Sequence, residues 1–179
     1  MKASGYERAA DDYYVEPRWA VEAMLDAVGP INGWIWDPAC GGGTIPSACA
    51  SRGIRAIGTD IVQRAPGFGR FDFLEETQLR APTIISNPPF RLAEAFVRHA
   101  LELRARRVVL LCCLAFLEGR ERYRELFEQS PPAEVLVHCR RVSMPPGGTD
   151  IPARGGSTAF AWYVWQEGKR GEPVLRWLP

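Results

Sequence analysis

The stretch Gly33-Trp34-Ile35-Trp36-Asp37-Pro38-Ala39-Cys40-Gly41-Gly42-Gly43-Thr44 runs from apolar residues into an aspartate and then through three glycines. Aromatic and β-branched residues bounded by Gly and Pro read as a buried strand, and Thr44-Ile45-Pro46 opens a helix with proline in its first turn. A strand-turn-helix junction of this kind presents backbone N–H groups to a small ligand. Glycine is needed there because a side chain would block close approach and because the turn can require positive φ. Two glycine signatures do not fit. A dinucleotide site wants G-x-G-x-x-G, and Pro46 stands at the third glycine position; a P-loop wants Gly-Lys-Ser/Thr, and this turn has no lysine. An acidic strand end over a glycine turn suits a cationic or amino-acid-bearing ligand better than a pyrophosphate.

The 179 residues, 46% of them apolar, fit one domain spanning 1–179 that can bury a proper core. The 22 basic and 21 acidic residues give no whole-molecule field for nucleic acid, so any polyanion must be held by a local patch. Five cysteines, odd in number and without C-x-x-C spacing, read as free thiols in a reducing compartment. His99 and His138 lack companions at ligand spacing, so no metal is expected. The longest apolar run, 108–117, is too short to cross a bilayer, which points to a soluble, cytoplasmic protein.

Residues 1–12 are polar and are expected to be flexible. Val21, Met24, Leu25 and Val28 recur at helical spacing and stop at Gly29-Pro30. A short helix over 45–51 and a strand over 54–60 follow the glycine turn. Asp60, at that strand's end, lies 17 residues beyond Gly43, about where an α/β nucleotide site places a carboxylate on ribose hydroxyls; the other reading is a surface acid. The stretch 61–70 predicts an abbreviated crossover before Phe71-Asp72-Phe73-Leu74.

Thr83-Ile84-Ile85-Ser86 then leads into Asn87-Pro88-Pro89-Phe90. A double proline has no N–H, so the carbonyls around it are fixed acceptors, while Asn87 adds a side-chain carbonyl and Phe90 a flat apolar face. The combination suits a planar substrate bearing an amino group, gripped at its hydrogens and stacked on Phe90. The lone pair of such an amine is delocalised into the ring. Acceptors aimed at its hydrogens favour a more tetrahedral nitrogen, and the site has mainly to align the attack.

Helical spacing predicts a helix over 91–104, and 108–114 reads as a central strand buried on both faces. A helix over 120–128, a strand over 134–139 and a last strand over 158–165 complete the pattern. Between the last two lies an 18-residue loop, 140–157, rich in Pro and Gly and carrying Arg140, Arg141 and Arg154. Loops this long in a compact domain usually have a function, and this one is expected to border the substrate and meet phosphate through the three arginines. The tail beyond 165 carries no signal. Alternating strands and helices predict a mostly parallel sheet in which 37–43 and 87–90 share the carboxyl edge.

DPACGGG and NPPF together resemble the D-P-P-x-G-x-G and [D/N/S]-P-P-[aromatic] motifs of S-adenosylmethionine-dependent amino-methyltransferases. Ala39 stands where many members carry a second proline, and the likeness covers about 13–165. It implies a Rossmann-like methyltransferase fold: a mostly parallel seven-stranded sheet with an antiparallel C-terminal strand and helices on both faces. It implies that Asn87, Pro88, Pro89 and Phe90 are catalytic, with Phe90 also binding substrate. The cofactor would lie against Asp37, Ala39, Cys40, Gly41, Gly43, Asp60, Ile61 and Asn87.

Tyr14-Val15-Glu16-Pro17 resembles the family's Y-x-T-P segment beside the methionine part of the cofactor, with Glu16 in place of threonine. The alternative for Tyr14 and Pro17 is a hydrophobic lead-in to the first helix. Asp72 and Phe73 resemble the D-F-L step that meets adenine, or else Phe71 and Phe73 simply anchor a loop.

Within the family, NPPF leans towards the exocyclic amine of adenine in DNA or RNA, as in small bacterial or phage enzymes without a recognition domain. A partner for specificity and a monomeric or homodimeric state fit that expectation. Two alternatives stay open: another amino substrate, such as a protein glutamine amide or a small molecule, and a non-catalytic cofactor-binding subunit.

Overall fold

The computed structural model describes residues 12–153, 158–169 and 171–179. Its strands are β1 (Ile35–Asp37), β2 (Ala56–Asp60), β3 (Gly69–Arg70), β4 (Thr83–Ser86), β5 (Arg107–Cys113), β6 (Glu134–His138), β7 (Phe160–Gln166) and β8 (Val174–Leu178). They form one sheet in the order β3-β2-β1-β4-β5-β7-β6-β8. Only β7 runs antiparallel to its neighbours.

The Rossmann-like α/β architecture expected from the sequence is present, with two corrections. The described sheet has eight strands rather than seven, because the tail that carried no signal contributes β8, paired in parallel with β6. The antiparallel strand is consequently the seventh and not the last. β8 escapes a reading by periodicity because it is an edge strand: Val174, Leu175, Arg176 and Trp177 are exposed and only Leu178 is buried, so no two-residue alternation develops.

Helices α1 (Arg18–Ala27) and α2 (Thr44–Ala50) cover one face of the sheet. Helix α3 (Ala93–Glu102) covers the other, together with a turn of helix α4 (Arg120–Arg122) that runs on as a π-helical segment, Tyr123–Phe127. The pleat of β5 divides its side chains between two cores: Val108, Leu110 and Cys112 face α3, while Val109 and Leu111 face α1. β7 does the same with Tyr163 and Trp165 against Trp162 and Val164. Each fully buried side chain of this size contributes about 1.5–3 kcal/mol, which is why the central strands read as continuous apolar runs. The indole of Trp36, fully buried in β1, donates from Nε1 to Thr59 Oγ1 at 2.9 Å and so ties β1 to β2. No described helix is long and apolar enough to cross a membrane.

β1 pairs with β2 on one side and β4 on the other, all parallel. The residues that follow Asp37, Asp60 and Ser86 therefore emerge along one sheet edge.

Candidate active site

At the end of β1 the Asp37 carboxylate is almost completely buried and serves as a local tie. Its Oδ1 accepts from Ser86 Oγ at 2.7 Å, across to β4, and from the Ala39 N–H at 3.2 Å. Burial pushes its carboxyl well above the usual range, against the opposing effect of the Ser86 hydroxyl. The turn beyond is closed by the Gly43 N–H donating to the Cys40 carbonyl at 2.7 Å and hung on β2 by the Cys40 N–H to the Thr59 carbonyl at 3.0 Å. Asp60 holds it from the side: Oδ2 accepts from the Gly41 N–H at 2.8 Å and Oδ1 from the Val62 N–H at 3.0 Å. Gly43 sits at φ 87°, and a Cβ there would come within 2.5 Å of the Phe68 ring, so this position requires glycine on both counts.

A cavity opens along this edge with an empty volume of about 760 Å³, open solvent included. The glycine turn, Asp60 and Ile61, Asp72 to Leu74, and Asn87 with Pro89 form its floor and walls. The segment 12–16 crosses it as a strap, paired with the loop after β6: the Val15 N–H donates to the Pro145 carbonyl and the Gly147 N–H to the Tyr13 carbonyl. The Tyr13 ring lies on the glycine turn, where a Cβ on Gly41 would be 2.5 Å from it, and the Arg64 guanidinium sits 4.1 Å from its ring centroid.

Asn87 follows β4. Its Nδ2 donates to the Tyr14 carbonyl and to Glu16 Oε2, both at 2.9 Å, and lies 3.7 Å from Met144 Sδ. Its Oδ1 is buried with no hydrogen-bond partner among the described residues. Glu16 is itself buried, and desolvation raises its carboxyl from an ordinary 4.5 to about 7, with hydrogen bonds from Asn87 and Thr44 opposing the rise.

Of the residues expected at the site, Tyr14, Ala39, Cys40, Gly41, Asp60, Ile61, Asp72, Phe73, Asn87 and Pro89 line the cavity. Asp37, Gly43 and Pro88 stand behind that lining, Asp37 as the tie just described. Pro17 caps the start of α1. Phe90 does not line the cavity; it packs against the core on the α1 side, its ring stacked on Tyr14 at 5.9 Å and tilted against Phe160 at 5.4 Å. Phe73 packs among Trp36, Phe96 and His99, and the Asp72 carboxylate accepts from the Leu74 N–H, capping the short turn Phe73–Glu75.

Of the loop arginines, Arg140 and Arg141 do not line the cavity. Arg140 is exposed with its guanidinium 4.7 Å over the Trp19 ring, Arg141 is also exposed, and Arg154 lies outside the described residues, as do 1–11 of the segment expected to be flexible. Asp12, the last residue of that segment, is buried and pairs with Arg91 at 3.2 Å. What the loop does bring to the site is Met144, Pro145 and Gly147. Sequence reasoning missed the roles of Tyr13, Arg64, Thr44 and above all Glu16, for which the one signal was an acid embedded in the otherwise apolar Tyr13-Tyr14-Val15-Glu16-Pro17.

No protein-family model matches this sequence, and no curated protein does. Among solved structures, the chain is similar to a predicted O-methyltransferase from Agrobacterium tumefaciens, at 15% identity over 88% of this chain and 84% of that one, with a TM-score of 0.57. It is also similar to magnesium protoporphyrin IX methyltransferase from Synechocystis PCC 6803 with bound SAH, at 17% identity over 83% and 81% and a TM-score of 0.55. A third likeness is to a nuclease-deletion mutant of the Type ISP restriction-modification enzyme LlaGI in complex with a DNA substrate mimic. There the identity is 12% and the TM-score 0.59, covering 94% of this chain and 28% of that one. At these identities the likeness is one of architecture, and it establishes that this chain has the Rossmann-like α/β fold that these methyltransferases share.

Proposed function

We propose that the protein is an S-adenosylmethionine-dependent methyltransferase that modifies the exocyclic amine of adenine in nucleic acid. The observation that carries this reading is the buried Oδ1 of Asn87, without a partner among the described residues, in the same cavity as the glycine turn and the Asp60 and Asp72 carboxylates. A buried carbonyl oxygen without a partner costs about 1–3 kcal/mol unless a ligand satisfies it, and an amine N–H is the matching donor.

The residues present fit the cofactor. Asp60 and Asp72 offer carboxylate oxygens to hydroxyl and amino donors, and the Gly41-Gly42 backbone admits a ligand once the Tyr13 ring moves aside. When bound, S-adenosylmethionine supplies an electrophilic methyl group on a positively charged sulfur. The chain's own work is to hold the acceptor nitrogen. Asn87 Oδ1 takes one amine hydrogen and the fixed carbonyls of the Pro-Pro segment are suited to the other, which directs the nitrogen lone pair and aligns the attack without a strong base. Phe90 is assigned to the substrate ring by the NPPF resemblance; it already packs with Tyr14 and Phe160 and would exchange one of those contacts for a flat ring.

The choice of adenine rests on the NPPF resemblance, and the DNA substrate mimic held by the restriction-modification enzyme is consistent with it. A second reading, an amine on a protein or small molecule, is favoured by the charge of the cavity: Asp12, Glu16, Asp60 and Asp72 line it against Arg64 alone among described basic residues.

The test is incubation of a radiolabelled methyl donor with DNA, RNA and protein extract, wild type beside Asn87→Ala. Label in nucleic acid that drops by about 100-fold or more in the variant is the expected result. Label in protein would select the second reading, and no label with any acceptor would overturn both.

A further inference from the structure

Glu16 occupies the position at which the resembled segment carries threonine, and its carboxylate lies against the side chain that presents the partnerless oxygen. Both N–H bonds of the Asn87 amide are taken, one by the Tyr14 carbonyl and one by Glu16 Oε2, each at 2.9 Å. An ionised carboxylate and a backbone carbonyl can only accept. Turning the amide over would set Oδ1 against two acceptors, so this pair of neighbours permits a single orientation, with the nitrogen towards the strap and the oxygen towards the cavity. Tyr14 cannot change its character. Glu16 can, because a protonated carboxyl gains an O–H donor that fits Asn87 Oδ1.

We infer that Glu16 is the positioning residue of the site: it fixes the Asn87 amide with its oxygen facing the substrate amine, and it weakens that constraint when it takes up a proton, leaving the Tyr14 carbonyl as the one obligate acceptor. The inference rests on the reading of Asn87 as the group that grips the amine.

The surroundings set where the switch acts. Glu16 is 7% exposed, and the groups acting on its carboxyl are the donors Asn87 and Thr44 and its own backbone N–H. The titratable neighbours are Tyr13 on the same strap and Asp37 and Cys40 from the end of β1, with Asp60 of β2 beyond them; Arg64 reaches Tyr13. None of these places a cation against Glu16, so burial dominates and raises its carboxyl to about 7. From the β6–β7 loop the neighbour of Asn87 is Met144, which does not titrate. Above that pH the amide is held in one orientation; below it, protonated Glu16 competes with the substrate for the amide oxygen.

The chain has two asparagines, Asn32 and Asn87, so selective ¹⁵N-asparagine labelling gives two side-chain NH₂ pairs, and Asn87→Ala identifies the relevant one. In the wild-type protein the Asn87 pair should exchange with water more slowly than that of Asn32 and should move with pH, with a midpoint near 7. In Glu16→Gln, whose amide can accept or donate, the pair should stop moving. An Asn87 pair that exchanges as fast as that of Asn32, or is fixed between pH 6 and 8 in the wild type, overturns the inference whether or not the protein methylates anything.

Kinetics separate the two levels of the argument. Glu16→Gln should lower kcat by about 10- to 100-fold, the scale expected for a mispositioned reacting group, and abolish the fall in rate below pH 7. The KM for the methyl donor should stay within about 3-fold of wild type. A variant that instead raises that KM at unchanged kcat makes Glu16 a cofactor ligand and refutes the positioning role. A wild-type protein inactive on every amine refutes the proposed reaction and leaves the NMR result to decide on Glu16.

Discussion

Glu16→Gln should make the protein more stable at alkaline pH even as it impairs the site. Burial raises the Glu16 carboxyl from 4.5 to about 7, so between those values the folded chain binds more protons than the unfolded one. Stability then falls as pH rises through that window and is level above it. At about 1.4 kcal/mol per pH unit, the loss amounts to about 3 kcal/mol. Glutamine has nearly the same shape, keeps an oxygen for the Asn87 and Thr44 donors, and carries no charge at any of these pH values. The variant should match wild type near pH 4.5 and exceed it by about 3 kcal/mol at pH 8, or by roughly 6–12 °C in Tm for a chain of this size. Asp37, raised for the same reason, is present in both proteins and cancels to first order. Urea unfolding followed by tryptophan fluorescence at pH 5 and pH 8 measures both differences. A gain of equal size at the two pH values, or a variant less stable than wild type at pH 8, would refute the reasoning.

Gly43→Ala should cost about 1–2 kcal/mol from the left-handed backbone alone, and more because its Cβ would lie 2.5 Å from Phe68; thermal unfolding and methyl-donor titration should both register the change. Leu178→Ala removes the one buried side chain of β8 and should destabilise by about 2–5 kcal/mol, while a loss below 0.5 kcal/mol in urea would mean that β8 is not held to β6 in solution. Thiol titration of the native protein should show one fast cysteine, Cys139, which is exposed, and a slower Cys113. Cys40, Cys49 and Cys112 are buried with their thiols pushed up, Cys49 to about 11, and should react only in denaturant; a fast phase that survives Cys139→Ser would contradict this.

What could be read from the sequence was what short stretches determine by themselves. The apolar run into Asp37 and the glycines, and the run into Asn87-Pro88-Pro89, each carry their strand, their stop and their turn within a dozen residues, and parallel pairing then brings both to one edge. β5 was legible because a strand buried on both faces has no polar residues to confuse it. β8 was not, because its burial depends on an edge and not on its own pattern.

The site was half legible for a related reason. Asn87 announces itself through the prolines beside it, but Glu16 owes its burial and its partner to a residue 71 positions away. An acid before a helix reads as a solvated cap until that contact is seen. The arginines at 140 and 141 show a different limit. Their charge suggested phosphate, yet Arg140 lies over the Trp19 indole, a contact that composition could not foretell.

The strap over the cavity has a bearing on access. It is fastened by backbone hydrogen bonds from Val15 to Pro145 and from Gly147 to Tyr13, and it lays one phenol ring in the space above Gly41. A ligand settling on that turn would need the volume the ring fills, so the Tyr13 side chain would have to leave it first. Residues 145–147, remote in sequence from every motif, thereby help to hold the segment that carries this ring over the turn.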